Sequence, residues 1–428
     1  MKRETSMQGN KITFREALRY WLKLGFISFG GPTGQIAMMH KEVVENKKWM
    51  PESHFLHALN FCMLLPGPEA QQLATYVGWQ LHGTKGALAA GILFVLPSIF
   101  ILWGLSWIYV AFGMVPSVAA LFFGLKPAVA AIVAEAVIRI GKKSLKNMAM
   151  VTLAALSFIA IYFLNAPFPV IVLAAGIIGY ILNTRLTGVT PSASNNADDA
   201  PAAVSNGWLR ALKITVAGLI LWFLPIIVLG IWRGWDDILV NIGILFSKAA
   251  IVTFGGAYAV LGYISQQVVS IHGWLLPEQM MDGLGLAETT PGPLIMVNQF
   301  VAYVAAYTHA PGLSPALAGA IAGLLATWVT FTPSMLWIFI GAPYIESLRR
   351  NIKLASALAA ITAAVVGVVL NLGVSFTRHT LIPDTGGFEW YSLVASIVAF
   401  IALTRFKWGL IPVIAGSALA GLIWKIIL

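Results

Sequence analysis

Apolar runs of membrane-spanning length recur along the whole chain, and they limit what it can fold into more than any other feature. Ile92 to Ala111, Ile214 to Trp232 and Ile411 to Leu428 are such runs. Shorter cores lie at Met150 to Leu164, Pro169 to Ile181, Leu324 to Ile340, Ile361 to Leu372 and Leu393 to Leu403. A helix needs roughly 20 apolar residues to cross the hydrocarbon core. Charged residues are 10% of the 428, against about 25% in soluble domains. A set of soluble domains is excluded, and an all-α polytopic membrane protein is expected. The single cysteine, Cys62, rules out a disulfide framework and a thiolate metal cluster.

The N-terminal stretch MKRETSMQGNKITFREALRYW is charged and amphipathic. It lacks the short apolar core of a cleaved secretory signal, so the first membrane segment is expected to direct insertion. The formal net charge of +10 does not point to nucleic acid, because the basic residues cluster beside membrane segments. Counting segments along the chain places eighteen of the 27 Lys and Arg on one side, and Lys41, Lys47, Lys48, Arg233 and Arg378 on the other. The positive-inside rule then predicts a multi-pass inner-membrane protein with a cytoplasmic N-terminus and an external C-terminus.

The chain contains a duplication. FISFGGPTGQ at Phe26 to Gln35 returns as IVTFGGAYAV at Ile251 to Val260. Lys23 and Lys248, Gly30 and Gly255, Trp49 and Trp274, Pro66 and Pro291, Gly67 and Gly292, and Pro68 and Pro293 are all 225 residues apart. Pro97-Ser98 returns as Pro333-Ser334, and AVAAIVAEAV at Ala128 to Val137 echoes ALAAITAAVV at Ala357 to Val366. Matched positions at one spacing mark an internal repeat. The expected organisation is a first repeat over 1–182, a cytoplasmic linker over 183–207, a connecting transmembrane segment over 208–234 and a second repeat over 235–428. Six segments per repeat with one between them give about 13 membrane segments. An odd connecting crossing inverts the second repeat, a common arrangement in secondary transporters. The parity survives if the FGG and PGP segments of both halves are re-entrant hairpins, which would move Lys41, Lys47 and Lys48 to the cytoplasmic side.

LLPGPEAQQ and TTPGPLIMV each interrupt an apolar segment with proline and glycine. Non-helical backbone at membrane depth is tolerated only inside protein or beside a water-filled cavity. Proline ends one helix and is well placed to begin the next. The amides of Glu69, Ala70 and Gln71, and of Leu294, Ile295 and Met296, would then stand free at half-helix N-termini, which suit an anion. The FGG glycines offer a second break where a ligand could approach backbone. The expected anion-binding set is Lys23, Gly30, Gly31, Gly67, Pro68, Glu69, Gln71, Lys248, Gly255, Gly256, Gly292 and Pro293, with kinks and close-packing glycines as the structural alternative and snorkelling for the two lysines.

Intramembrane ionisable residues are functional candidates. Glu69 follows the first PGP and Glu288 precedes the second, while Lys126, Glu135 and Asp282 are flanked by apolar residues. Glu69, Glu288 and Glu135 are the candidates for carrying a coupled proton, with helix capping as a rival role for Glu69. His54 and His57 lack a carboxylate or third histidine to complete a metal site. There is no P-loop, G-x-S-x-G or H-E-x-x-H motif, so the reading is a transporter without cofactor, not an enzyme.

FGGPTGQIAMMH, LPGPEAQQLATYVGWQLHGTKGALAAGILFVLPS, FGGAYAVLGYI and AETTPGPLIMVNQFVAY together resemble the chromate ion transporter family in its long, duplicated bacterial form. The resemblance covers nearly the whole chain apart from the linker. It implies a bacterial inner-membrane exporter that lowers cytoplasmic chromate, confers chromate resistance and is driven by the proton-motive force. Sulfate, a close structural analogue of chromate, is the alternative substrate, and an integral-membrane enzyme or scaffold the remote one. A homo-oligomer is compatible with the sequence.

Overall fold

The computed structural model describes residues 12–182, 207–254, 256–342, 352–383 and 386–427. The linker ahead of Gly207, the N-terminal Lys2, Arg3 and Lys11, and Gly255 lie outside the described residues.

The described chain is helical throughout. The first half comprises α1 (Phe14–Ile27), α2 (Gly31–His40, continued by a π-turn at Lys41–Asn46), α3 (Glu52–Cys62), α4 (Glu69–Phe112), α5 (Pro116–Ser144), α6 (Met148–Leu164) and α7 (Phe168–Leu182). α8 (Gly207–Arg233) connects to α9 (Ile238–Val252), α10 (Ala257–Ser265, with a π-turn at Gln266–Ile271), α11 (Pro277–Thr289), α12 (Val297–His309), α13 (Pro315–Gly341), α14 (Ile352–Leu381), α15 (Trp390–Thr404) and α16 (Leu410–Ile427). Caps set several boundaries. Thr13 Oγ1 accepts from the Glu16 amide, Asn147 Oδ1 from Met150 and Asp237 Oδ1 from Leu239, each satisfying a donor that the helix leaves free. Among the described residues, six helices or parts of them are long and apolar enough to cross a membrane unaided, in α4, α5, α8, α13, α14 and α16. This is a polytopic membrane protein.

α4 is not one rod. His82 (φ −137°) and Gly83 (φ +61°) leave helical geometry, and the chain reverses there. The two limbs, 69–81 and 84–112, pack back to back through Gly78 and Gly86. A methyl group on Gly78 would lie 2.3 Å from the Gly86 carbonyl oxygen.

This reversal settles the hairpin question. α1 has 14 residues, about 21 Å of helix, short of the roughly 30 Å core. The chain turns at Ser28–Gly31 and comes back, because Lys47 Nζ reaches Glu16 Oε1 at 3.0 Å and the Trp49 ring meets the Tyr20 ring edge-on at 5.2 Å. α3 and the first limb of α4 form a second hairpin, turning at Leu64–Pro68. Its end returns to the same place, with a ring nitrogen of His82 3.0 Å from the Ile12 carbonyl. In the second half, Arg233 joins Asp237, at the start of α9, to the Pro311 carbonyl in the turn after α12. That places the start and finish of the second pair of hairpins together. Among the described residues the expected segments therefore resolve into four hairpins, six helices long and apolar enough to cross a membrane, and three shorter apolar helices, α6, α7 and α15. Lys41, Lys47 and Lys48, assigned by simple counting to the side opposite Arg15 and Arg19, lie on the same side, because the first segment turns back instead of crossing.

The two halves are antiparallel. Gly91 in the second limb of α4 lies against Met335 of α13. Eight residues further along α4, the Ile99 carbonyl accepts from Gln299 Nε2 at 2.8 Å. Gln299 packs on Gly323, far earlier in α13. Advancing along α4 thus means retreating along α13. The equivalent helices of the two halves run in opposite directions, as inverted repeats require. Around this centre α5 packs on α15 and α16, while α14 packs on α6 and α7. Small residues bring these helices into contact, with Gly124 against Gly421 and Gly179 against Ala360. Close backbone approach is the usual means of helix association in lipid.

A topology test follows. With Cys62 replaced, cysteines at Lys48 and Lys85 should react with an impermeant thiol reagent from one face of the membrane, and a cysteine at Ser314 from the other. Labelling of Lys48→Cys and Lys85→Cys from opposite faces would mean that the first segments cross.

Candidate functional site: an interlocked layer of helix breaks

The four hairpin tips meet at the centre, and each is tied to a tip of the other half. The Gly67 amide donates to the Thr253 carbonyl at 2.8 Å, and the Gly292 amide donates to the Ser28 carbonyl at 2.8 Å. Both donors and both acceptors are 225 residues apart, so the two bonds are a symmetric pair. The acceptors sit in matched turns. Ser28 (φ −76°, ψ 67°) and Thr253 (φ −76°, ψ 86°) have inverse γ geometry, closed by Phe29 to Ile27 at 2.9 Å and Phe254 to Val252 at 3.0 Å. Side chains reinforce the exchange. Gln35 Nε2 donates to the Gly292 carbonyl at 2.6 Å and to the Ser28 carbonyl at 3.1 Å. Ser98 Oγ donates to the Pro291 carbonyl, and Ser334 Oγ to Gln71 Oε1 at 2.7 Å. The duplicated Pro-Ser pairs therefore place a serine of each half on the PGP region of the other.

This geometry gives the PGP glycines a different reason from the one the sequence suggested. Gly67 (φ +128°) and Gly292 (φ +107°) need the conformation that glycine tolerates. Their close neighbours are side chains, with little free space for a ligand. A methyl on Gly292 would lie 1.8 Å from Ser98 Oγ, and one on Gly67 would lie 3.0 Å from Ser334 Oγ. The FGG glycines behave otherwise. Gly30 (φ +87°), Gly31 (φ +69°) and Gly256 (φ +100°) have no atom within 4 Å of a Cβ placed on them. Close packing belongs to PGP, and open backbone belongs to FGG.

The second helix of each hairpin begins at a tip. α2 starts at Gly31, α4 at Glu69 after Pro68, and α10 at Ala257, while Pro293 leads into a short 3-10 turn, Leu294–Met296, ahead of α12. Their first amides have no partner within the helix. Met296 departs from the sequence expectation, because its amide is consumed by the Pro293 carbonyl at 2.9 Å in the tight turn. Gln71 is fully buried, and its Nε2 has no hydrogen-bond partner. Glu69 is partly exposed at the N-terminus of α4, within the electrostatic reach of Lys143.

Lys23 and Lys248 are exposed on the outer faces of α1 and α9. The cations on the polar core come instead from α5. Glu288 is buried and accepts from Tyr258 Oη. Arg139 and Glu135 act on it electrostatically, and they pair with each other at 3.1 Å. Two of the three proposed proton carriers, Glu288 and Glu135, are thus within electrostatic range of each other. Reading the sequence missed Ser28, Thr253, Gln35, Ser98, Ser334 and Arg139 as site residues. The duplication of the serine and threonine positions was the available signal.

Gly292→Ala should destabilise the protein more than Gly67→Ala, by thermal melting in detergent. Each variant carries roughly 1–3 kcal/mol of backbone strain, and the Gly292 variant adds a clash with Ser98. Removing that hydroxyl in Gly292→Ala/Ser98→Ala should recover part of the loss. Equal melting of the two single variants would argue against the packing described.

The chromate transporter family model matches residues 15–180 and 240–422. A chromate transport protein of Cupriavidus metallidurans is 27% identical over 413 residues, covering 96% of this chain and 93% of the relative. An uncharacterized transporter of Methanocaldococcus jannaschii is 27% identical over 421 residues, covering 98% and 96%. An uncharacterized transporter of Bacillus subtilis is 29% identical over 139 residues, covering 32% of this chain and 71% of the relative. No solved structure matches the chain. With both arms of the interlocked layer inside the matched segments, the chain belongs to the chromate transporter family.

Proposed function

We propose that this protein exports chromate from the cytoplasm across the bacterial inner membrane in exchange for protons, and so confers chromate resistance. The observation that carries an anion reading is an asymmetry at the tips. Every hairpin contributes one helix C-terminus and one helix N-terminus to the central layer, and their dipoles would otherwise offset. The carbonyls at Ser28 and Thr253 are consumed by the amides of Gly292 and Gly67. The N-terminal amides of α2 and α4, and those of Ala257 and Tyr258 in α10, remain for a ligand, while that of Ala259 is bonded to the Gly256 carbonyl at 3.3 Å. What is left is a donor-rich layer that suits a tetrahedral dianion. The open backbone at Gly30, Gly31 and Gly256 is where a ligand comes closest, with Gln71 Nε2 as a side-chain donor. Lys143 and Arg139, on the α5 surface that leads away from the layer, draw the anion in from the cytoplasmic side. Lys23 and Lys248 stay at the rim. The names of the full-length relatives supply chromate. Backbone amides select charge and size, so sulfate enters as a competitor.

In this reading Glu288 carries the coupled proton. It lies next to the tip, is buried and shares the Tyr258 hydroxyl, while the Glu135–Arg139 pair stands beside it. Glu69, at the α4 N-terminus, repels a dianion when ionised and can donate to it only as the protonated carboxyl.

Radiolabelled chromate should accumulate in everted membrane vesicles when a proton gradient is imposed, should leak out when the gradient is collapsed, and should be displaced by excess sulfate. Glu288→Gln should retain chromate–chromate exchange and lose gradient-driven accumulation. Normal uphill transport by Glu288→Gln would remove it as the proton carrier.

A further inference from the structure

Resting on the proton-coupled reading, we propose that Asp282 is a second proton-carrying carboxylate, the outward-facing station of a two-station path along α11. Asp282 and Glu288 are on the same helix, six residues apart, about 9 Å of rise. Their surroundings correspond. Tyr109 Oη donates to Asp282 Oδ2 at 3.0 Å, as Tyr258 Oη donates to Glu288. Lys126 of α5 acts electrostatically on Asp282, as Arg139 of α5 acts on Glu288. Each carboxylate thus has one tyrosine donor and one cation from α5.

Asp282 is 4% exposed, and its Oδ1 has no hydrogen-bond partner. A carboxylate with an unpartnered oxygen in the membrane is costly unless it serves a purpose. The charged and titratable groups around it are Tyr109 from α4, Lys126 from α5 and Glu278 on α11 itself. From α14, Thr380 approaches the neighbouring Met281, and from α12 the Phe300 ring packs on Gly283. Neither carries a charge.

Both stations lie on the Pro277 side of the tip layer, with Glu288 next to the tip and Asp282 further from it. α11 runs inward from Pro277 to the tip, so Asp282 lies towards the start of α5 and Glu288 towards its end. Between them Gly285 is covered by Leu125 of α5, whose Cδ2 is 2.1 Å from the position a Cβ would take. The stretch between the stations is closed by this contact, and a direct hop over about 9 Å is too long. Transfer from Asp282 to Glu288 therefore requires α11 to move against α5. One proton enters from the outer side onto the Asp282 carboxylate, passes to Glu288 during that movement, and leaves to the cytoplasm as one anion travels outward.

The test uses the purified full-length protein in proteoliposomes. Wild type must first accumulate chromate against its gradient when a proton gradient is imposed, and if it does not, the proton-coupled reading itself fails. Given that activity, Asp282→Asn should lose accumulation while chromate–chromate exchange and melting temperature stay near wild type, and Asp282→Glu should restore accumulation. If Asp282→Asn does not fold, Tyr109→Phe takes its place, with exchange retained and accumulation reduced. Full accumulation by whichever of these two variants folds, or loss of exchange and accumulation together, overturns the assignment of Asp282 and leaves Glu288 unaffected.

Discussion

Two hydrogen bonds hold the centre of this protein together. The amides of Gly67 and Gly292 lie in non-helical backbone deep among apolar helices, where an unbonded polar group costs several kcal/mol. Neither finds its partner in its own half. Each takes a carbonyl from the γ-turn of the other half, at 2.8 Å in both cases. Each of these two amides is satisfied by the other repeat, so the breaks of one half depend on the turn of the other. The outer helices follow the same exchange, with α5 of the first half packed on α15 and α16, and α14 of the second packed on α6 and α7.

The interlock also sets the electrostatics of the layer. Because it uses carbonyls of Ser28 and Thr253 and leaves helix N-termini free, what stays available is donor in character. Had the PGP amides turned back onto their own helices, those carbonyls would have remained and the layer would have been better suited to a cation. The arrangement also explains why the carboxylates sit where they do. Glu288 and Asp282 are on α11, which leads into a tip, and α5 passes both with Arg139 and Lys126. These two carboxylates thus border the donor layer, whereas Glu69 stands at the α4 N-terminus within it. The Leu125–Gly285 contact lies between Asp282 and Glu288.

Much of this was legible in the sequence. Membrane placement followed from apolar runs, because hydrocarbon admits little else. The repeat followed from matched spacing, because duplicated chains keep their register. The breaks at FGG and PGP followed from proline and glycine, whose backbone restrictions are local. Through-space partnership was not legible. Lys23 and Lys248 match in sequence and lie close to FGG, yet both face outward, since a helix has faces that spacing to a neighbouring motif does not reveal. Gly67 and Gly292 were recognised as essential breaks, but the neighbour that demands glycine is a serine nearly 200 or more residues away.

The sequence by itself determined an all-helical membrane protein made of two repeats with a pair of breaks in each, because composition, periodicity and backbone stereochemistry act over a few residues. The tertiary structure alone decided that the broken segments turn back, that the Gly67 and Gly292 amides are satisfied by the other half, and that Asp282 and Glu288 accept from Tyr109 and Tyr258. Those outcomes depend on which surfaces meet when helices separated by hundreds of residues pack, and one-dimensional spacing carries no record of that.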